Sequence, residues 1–383
     1  MSSAGVPGRV LHVSQSVEGG VAYVVEDYIL AQVAAGLEVH VACPPGALAD
    51  VAEKAGAVVH LWNAVRDPSP RALPRELWRL RRILADVAPD LVHLHSAKAG
   101  LVGRLALRGR RPTVFTPHAW SWHAVQGPMR VAVRAYERAA VRWTDVITCV
   151  SEAERDQGLA EHIRGDLRLL VNDLNPSRVR AEAPPDRAAA RVLLGVSEGA
   201  DLLVCCARLA PQKGQDVLLA AWPVLQEAIP DAQLVLVGGG PCEQELAAEA
   251  EGLKGVTLVG AQERPRALAW MSAADLVVCP SRYEGMSLVP LEAAVLGRCV
   301  VASRVEGMDE GPGGPARTLV PVGDSAALAE AMVLAFHSAR MERGEREARS
   351  WSDAAYGSER SDVGTLQLYA ELCPSRFSLA RAT

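Results

Sequence analysis

Two pairs of residues in the second half of the chain have types and spacing that suit phosphate-ester chemistry. Arg208 and Lys213 stand five residues apart in Ala207-Arg208-Leu209-Ala210-Pro211-Gln212-Lys213-Gly214, just after the apolar run Leu202–Cys206. A guanidinium grips phosphate through two parallel hydrogen bonds, and an ammonium adds a compact point charge. On one loop, with Gly214 opening the next helix, the two would clamp a diphosphate; the plain alternative is two solvated loop cations. Glu284 and Glu292 lie in Pro280-Ser281-Arg282-Tyr283-Glu284-Gly285-Met286-Ser287-Leu288-Val289-Pro290-Leu291-Glu292, with Gly297 five residues beyond. A buried strand ending at Cys279 leads into this glycine-containing loop. Pro290 suits the first turn of a following helix, and Gly297 its close. The N–H groups of Met286, Ser287, Leu288 and Val289 then face a ligand with a dipole that favours phosphate. Glu284, on the loop, and Glu292, in the first turn, would flank one small ligand and accept hydrogen bonds from its hydroxyls. A first-turn carboxylate is also simple capping, which accounts for Glu292 and not for Glu284. A glycosidase-like acid and base pair would leave the phosphate-binding features unexplained.

Weaker signals surround this constellation. Gly238-Gly239-Gly240-Pro241 follows an apolar run and precedes Glu243 and Glu245. It fits a ligand passing against bare backbone, and a strand-to-helix turn equally well. Near the start, Ser14-Gln15-Ser16-Val17-Glu18-Gly19-Gly20 enters a helical pattern. A glycine pair there lets backbone N–H groups approach an anion. It is not G-x-G-x-x-G, so the dinucleotide fingerprint and the case for a dehydrogenase are missing. His118 in Thr116-Pro117-His118-Ala119-Trp120, and His95 in His93-Leu94-His95-Ser96, each follow a strand-like run. A site role is favoured for His118 and a structural one for His95.

These residues need elements that deliver them to one edge. Strands are expected at Arg9–Val13, Glu38–Ala42, Val58–Trp62, Leu91–Leu94, Thr113–Thr116, Val146–Cys149 and Arg168–Val171. Helical patterns fill the gaps at Val21–Ala34, Arg75–Asp86, Ala97–Leu107, Met129–Arg142 and Glu152–Glu161. The second half repeats the scheme with strands Leu202–Cys206, Gln233–Val237, Val256–Leu258, Leu276–Cys279, Val300–Ala302 and Thr318–Val320. Strands alternating with helices imply parallel sheets covered on both faces, and such sheets bind ligands beyond the carboxyl ends of their strands. The fold class is therefore α/β, with two doubly wound, Rossmann-like domains. Asn172–Pro185, with three prolines and no sustained period, reads as the linker. The expected domains are residues 1–175 and 186–350, followed by a strandless helical segment at 351–383. Within it, Trp351–Cys373 has helical apolar spacing at Leu366, Leu368, Tyr369 and Leu372, and it would pack back on the first domain.

Composition removes whole classes. With 383 residues, two domains are the default. A net charge of −5 gives no overall basic field, so a nucleic-acid partner is not expected. The eight cysteines include no C-x-x-C and no zinc spacing, which reads as buried free thiols in a reducing cytoplasm. No signal peptide or membrane-length apolar run is expected. One region complicates the surface. Arg104–Arg142 holds eight Arg and one acid, Glu137, with Trp120 and Trp122. Nearby, Trp78 stands among four Arg in Arg75–Arg82. A basic, aromatic face there would suit an anionic membrane or a lipid-phosphate acceptor, and solvated helix faces are the bland alternative.

The spacing Glu284-x7-Glu292, the Arg-Leu-x-x-x-Lys-Gly element at Arg208–Gly214 and Leu236-Val237-Gly238-Gly239-Gly240-Pro241 together resemble the family 4 glycosyltransferases of GT-B fold. Gly19-Gly20, His118 and Val150-Ser151-Glu152 look like the same family, and the match runs from about Val10 to Tyr369. The resemblance implies two Rossmann-like domains facing a central cleft, a last helix returning to the first, and metal-independent transfer with retention from a nucleotide sugar, UDP- or GDP-linked. Arg208 and Lys213 would hold the donor diphosphate and stabilise its developing charge. Glu292 would bind the ribose; Glu284 and the backbone of Gly285, Met286, Ser287 and Leu288 would bind the sugar. His118 would meet that sugar from the first domain, and Gly19, Gly20 and Gly239 would line the donor. Where the family often has Asn-Gly-Val-Asp, this chain has Asn172-Asp173-Leu174-Asn175, and no role is carried over. No protein nucleophile is evident, which favours attack on the face the diphosphate leaves, with the departing phosphate taking the proton. The acceptor would be a hydroxyl on a glycan, lipid-linked or small-molecule substrate. The place of work would be the cytoplasm, with contact at the inner face of its membrane left open. A nucleotide-sugar epimerase or hydrolase of the same fold, or a non-catalytic nucleotide-sugar binder, are the alternatives.

Overall fold

A computed structural model describes residues 8–66, 71–172, 174–305, 307–308, 317–341 and 361–377. The chain divides into two compact units, Met1–Asp173 with Ser358–Thr383, and Leu174–Gly357.

In the first unit seven strands form one sheet: β1 (Arg9–Ser14), β2 (Glu38–Cys43), β3 (Val58–Leu61), β4 (Leu91–His95), β5 (Thr113–Thr116), β6 (Val146–Cys149) and β7 (Leu167–Leu169). Their order is β3-β2-β1-β4-β5-β6-β7, and every pairing is parallel. All of β4, β5 and β6 is buried, as central strands between two helical layers must be. One layer includes the helix Gly20–Ala34 and the C-terminal helix Ser361–Leu372, whose Leu368 and Tyr369 join Val10, Val25 and Ile29 in one core cluster. The opposite cluster holds Leu11, Leu80, Ile83, Phe115, Trp120 and Trp122. The first layer covers an unusual polar stripe. His12 pairs with His93 in register across β1 and β4, and His95 with Thr116 across β4 and β5.

The second unit has β8 (Leu202–Cys206), β9 (Gln233–Val237), β10 (Val256–Leu258), β11 (Leu276–Cys279), β12 (Cys299–Ser303) and β13 (Arg317–Val320). Their order is β10-β9-β8-β11-β12-β13, again wholly parallel. Leu203, Leu218, Trp222, Leu234, Val301 and Phe336 belong to its core. The strand order reverses between β1 and β4 in one sheet and between β8 and β11 in the other. Those are the switch points at which doubly wound sheets bind ligands.

Several expectations need correction. The stretch Asn172–Pro185 is not structureless. It contains the helix Pro176–Glu182, capped by Asn175 Oδ1, which accepts from the Arg178 N–H at 3.1 Å. Seven residues are too few to display a 3.6-residue period, so only the Asn-Pro start announced it. Helices at Ala47–Ala55 and Arg187–Leu194 were not anticipated. Strand β7 is Leu167–Leu169 rather than Arg168–Val171. Of the expected Trp351–Cys373 segment, residues 351–360 lie outside the described residues; the remainder is the helix Ser361–Leu372 with a short extension. Among the described residues no helix is long and apolar enough to cross a membrane.

Candidate functional site

Arg208 leaves β8 and Glu284 leaves β11, so the switch point of the second sheet separates the two loops that carry most of the candidates. The Arg208 loop still travels as a strand. Ala207 N–H donates to Val237 O at 2.9 Å and Leu209 N–H to Gly239 O at 2.9 Å. This close pairing explains two glycines. A Cβ on Gly238 (φ 146°) would stand 2.0 Å from Ala207 O, and one on Gly240 (φ 157°) 2.2 Å from Leu209 O. Gly239 has no such constraint; the nearest atom to its Cβ would be the Ala261 Cβ, at 3.3 Å. Packing of backbone on backbone therefore accounts for Gly238 and Gly240 without a ligand.

Beyond Arg208 the chain makes a 3₁₀ turn at Pro211–Lys213 and closes it with left-handed Gly214 (φ 67°), whose Cβ would lie 2.1 Å from Pro280 O. That contact ties the Lys213 turn to the Glu284 loop. Arg282 N–H donates to Gln212 O at 2.7 Å, and Gln212 Nε2 to Tyr283 O at 3.0 Å. Lys213 Nζ lies 2.5 Å from Glu284 Oε1, and Ser281 Oγ donates to the same oxygen at 2.7 Å. Arg208 is half-buried, and its carbonyl accepts from Gln215 Nε2 at 3.1 Å. Gly285, Met286 and Leu288 are buried. Ser287 sits at the N-cap of the helix Leu288–Val295 without a side-chain cap bond. The first N–H groups of such a helix have no partner within it.

Glu292 is the fifth residue of that helix, not in its first turn, so capping does not explain it. It is buried and paired with Arg264, whose Nη1 is 2.5 Å from Glu292 Oε1 and whose Nε is 2.7 Å from Glu182 Oε2. Arg264, at the start of the helix Arg264–Ala273, and Glu182 in the unforeseen Pro176–Glu182 helix were missed in the sequence. Nothing in local spacing joins positions 182, 264 and 292.

In the first unit Gly19 is the N-cap of the helix Gly20–Ala34 with φ 74°, and open space lies where its Cβ would be. The glycine there answers to backbone conformation rather than crowding. His118 (φ 53°) and Ala119 (φ 90°) are consecutive non-glycine residues in the left-handed region, a costly arrangement that the surroundings must hold. Glu154 does so. Its Oε1 accepts from the Ala119 N–H at 2.6 Å and its Oε2 from the Val150 N–H at 2.8 Å. The His118 ring joins a buried series: His118 Nε2 to His95 Nδ1 at 3.3 Å, His95 Nε2 to His12 Nδ1 at 3.0 Å, His12 Nε2 to Gln32 Oε1 at 2.8 Å. Burial pushes His118 down to about 3 and His12 to about 4, the latter against an opposing hydrogen bond from Gln32. It also pushes His93 and His95 well below the usual imidazole range, so all four rings are neutral near pH 7. Ligating nitrogens of His12, His93 and His95 lie within 4.8 Å of one another, the one such group among the described residues. Every nitrogen of the three is already committed: His93 bonds Tyr369 Oη at 2.6 Å and Thr116 Oγ1 at 2.7 Å. A shared cation would have to displace those bonds.

The basic, aromatic face is smaller than its composition suggests. Trp120 and Trp122 are stacked in the core with centroids 4.6 Å apart, and Arg104 is fully buried between Glu137, Phe115 and Tyr136. Trp78 (56% exposed), Met129 and Val131 remain outside, the first beneath the Arg82 guanidinium at 5.0 Å.

Comparison with known proteins places this geometry. Residues 18–172 match the model of Glycosyltransferase Family 4, and residues 200–337 that of Glycosyl transferases group 1. The chain is 32% identical over 268 residues to a GDP-mannose-dependent alpha-(1-6)-phosphatidylinositol monomannoside mannosyltransferase of Mycolicibacterium smegmatis, covering 65% of this chain and 68% of that one. It is 32% identical over 288 residues to D-inositol 3-phosphate glycosyltransferase 1 of Catenulispora acidiphila, covering 69% and 66%. Among solved structures, sucrose-phosphate synthase from Thermosynechococcus elongatus superposes with a TM-score of 0.76 at 22% identity, over 96% of this chain and 100% of that one. Anabaena HepE in complex with UDP and glucose gives 0.74 at 22%, with the same coverage. The two switch-point sheets thus carry the GT-B fold, and the chain belongs to the group 1, family 4 glycosyltransferases, retaining enzymes that take their sugar from a nucleotide sugar.

Proposed function

We propose that the second unit holds a UDP- or GDP-linked sugar and that the enzyme moves this sugar to an acceptor hydroxyl. The observation that carries the proposal is the joining of the Lys213 turn to the Glu284 loop across the switch point. An ammonium has three donors, so Lys213 can serve a phosphate oxygen while bonded to Glu284. Arg208 supplies the second cation of the clamp. Glu292, oriented by Arg264, is assigned to the ribose hydroxyls. Glu284 and the backbone of Gly285–Leu288 are assigned to the sugar, with Gly19, Gly20 and Gly239 lining the donor and His118 contacting the sugar. No role is given to a metal ion, because the cations and helix N–H groups answer the charge of the leaving diphosphate.

As the bond from sugar to diphosphate breaks, negative charge gathers on the leaving oxygen and positive character on the sugar ring. Donors already in place for the first charge are worth more than mobile ones, and Arg208 and Lys213 are assigned that part. The acceptor hydroxyl attacks the face the diphosphate leaves; its proton passes to the departing phosphate, so configuration is kept without a protein nucleophile. Trapping of a glycosyl–enzyme adduct would overturn this mechanism.

Relatives named for phosphatidylinositol monomannoside and for D-inositol 3-phosphate support an acceptor of lipid-linked or small-molecule type. For the former, Trp78, Met129, Val131 and the exposed Arg75, Arg81, Arg82 and Arg130 offer a first-unit surface for an anionic membrane. The test of the donor site is thermal unfolding with UDP, GDP, TDP and ADP. Ligand at a hundred times its dissociation constant adds about 2.7 kcal/mol, a shift of a few degrees. A shift with one nucleotide, lost in Arg208→Ala and Glu292→Ala, supports the assignment. No shift with any of the four overturns it.

A further inference from the structure

The buried series that ends at His118 has a direction, and that direction decides what His118 presents. At its far end the Gln32 Oε1 is 2.8 Å from His12 Nε2, so the amide presents its oxygen, an acceptor, to that ring. His12 must then carry its proton on Nε2, which leaves Nδ1 to accept from His95 Nε2–H. His95 Nδ1 in turn accepts from His118 Nε2–H. A neutral imidazole has one donor and one acceptor, so the amide oxygen sets the whole series without a clash of protons.

We propose that His95 and His12 are positioning residues that fix His118 as the Nε2–H tautomer, so that its Nδ1 is presented as a hydrogen-bond acceptor. Among the described residues His118 Nδ1 makes no hydrogen bond. The inference rests on the contact between His118 and the donor sugar proposed above. It deepens that contact by making the sugar hydroxyl the donor and the ring the acceptor, which excludes an imidazolium donating from the same place.

The experiment has two readouts on the full chain. Nitrogen-15 histidine spectra, recorded without any sugar, report which nitrogen of His118 bears hydrogen. The His118 signals are assigned by their loss in His118→Ala. Expected is a single Nε2–H form in the unsubstituted protein and a mixture of tautomers in His95→Phe, which keeps the ring and removes both nitrogens. A single Nδ1–H form, or an unchanged form in His95→Phe, overturns the relay. The unsubstituted protein decides the direction even where His95→Phe fails to fold, and Gln32→Leu gives a second, remote break. Transfer kinetics supply the other readout. His95→Phe is expected to lose roughly tenfold in kcat/KM, the scale of a hydrogen bond set wrongly. His95→Asn, which keeps an acceptor toward His118, is expected to recover most of it. Adding His95→Phe to His118→Ala is expected to cost little more, since residues acting through one group are not additive; full additivity overturns the positioning role. Undiminished transfer by His118→Ala removes the sugar contact from the proposed function, while the spectra still decide the tautomer.

Discussion

Lys213 Nζ and Glu284 Oε1, seventy-one positions apart in sequence, are 2.5 Å apart and shielded from solvent on the carboxylate side. Neither charge stands alone in its loop, so removing one changes the other. Lys213→Ala is expected to lower kcat by about 10²–10³, the scale for deleting one preorganised donor to a developing oxyanion. Glu284→Gln keeps the shape and is expected to raise donor KM more than it lowers kcat. Steady-state kinetics on both variants check the pair, and equal kcat loss in both would refute the division of roles.

Arg264 joins Glu292 to Glu182, so its removal takes a cation from both carboxylates, although Glu182 keeps Arg178 Nε at 2.7 Å. Arg264→Ala is expected to weaken nucleotide binding at least tenfold and to lower stability by roughly 3 kcal/mol, as breaking a buried pair does. Arg264→Lys is expected to retain one of the two contacts and an intermediate affinity. Calorimetric titration with the preferred nucleotide checks both.

The buried imidazoles predict the pH profile of stability. Their folded pKa values are lowered, so the unfolded chain binds more protons below the ordinary imidazole value of 6.5. Stability is therefore full above that value and falls as pH drops toward the folded values of about 4 for His12 and about 3 for His118. For His12 alone the loss between pH 7.5 and pH 5 is roughly 2 kcal/mol. Melting curves should be nearly flat from pH 8.5 to 7 and steep from 6.5 to 5; a flat profile through that second window would contradict the neutral buried cluster.

Two glycines separate crowding from conformation. Gly238→Ala forces a Cβ to 2.0 Å from Ala207 O and should cost on the order of 3 kcal/mol. Gly19→Ala meets open space at φ 74° and should cost about 1 kcal/mol. If the backbone at Gly19 approaches the donor as proposed, its effect on kcat/KM should exceed its effect on stability. Urea unfolding beside kinetics measures both.

The membrane surface is tested by pelleting with vesicles. Binding should require anionic lipid, fall with salt, and weaken in Met129→Ser with Val131→Ser and in Arg81→Glu with Arg82→Glu. Equal recovery on neutral vesicles would argue against it.

Alternating apolar and amphipathic segments determined the two parallel sheets, since strands buried on both faces are dominated by apolar residues. Thirteen strands stand where that pattern puts them, most within a residue or two at their ends. Arg208, Lys213, Glu284 and Glu292 were legible because strand ends, glycines and helix starts are local signals. What the three-dimensional fold alone decided is which groups meet. Arg264 reached Glu292, and Gln32 reached His118 through His12 and His95, because strand order and helix packing bring distant positions together. The same packing withdrew Trp120, Trp122 and Arg104 from a surface that composition had offered them. Apolar area and buried ion pairs are settled by neighbours across the sheet, and no spacing along the chain records who those neighbours are.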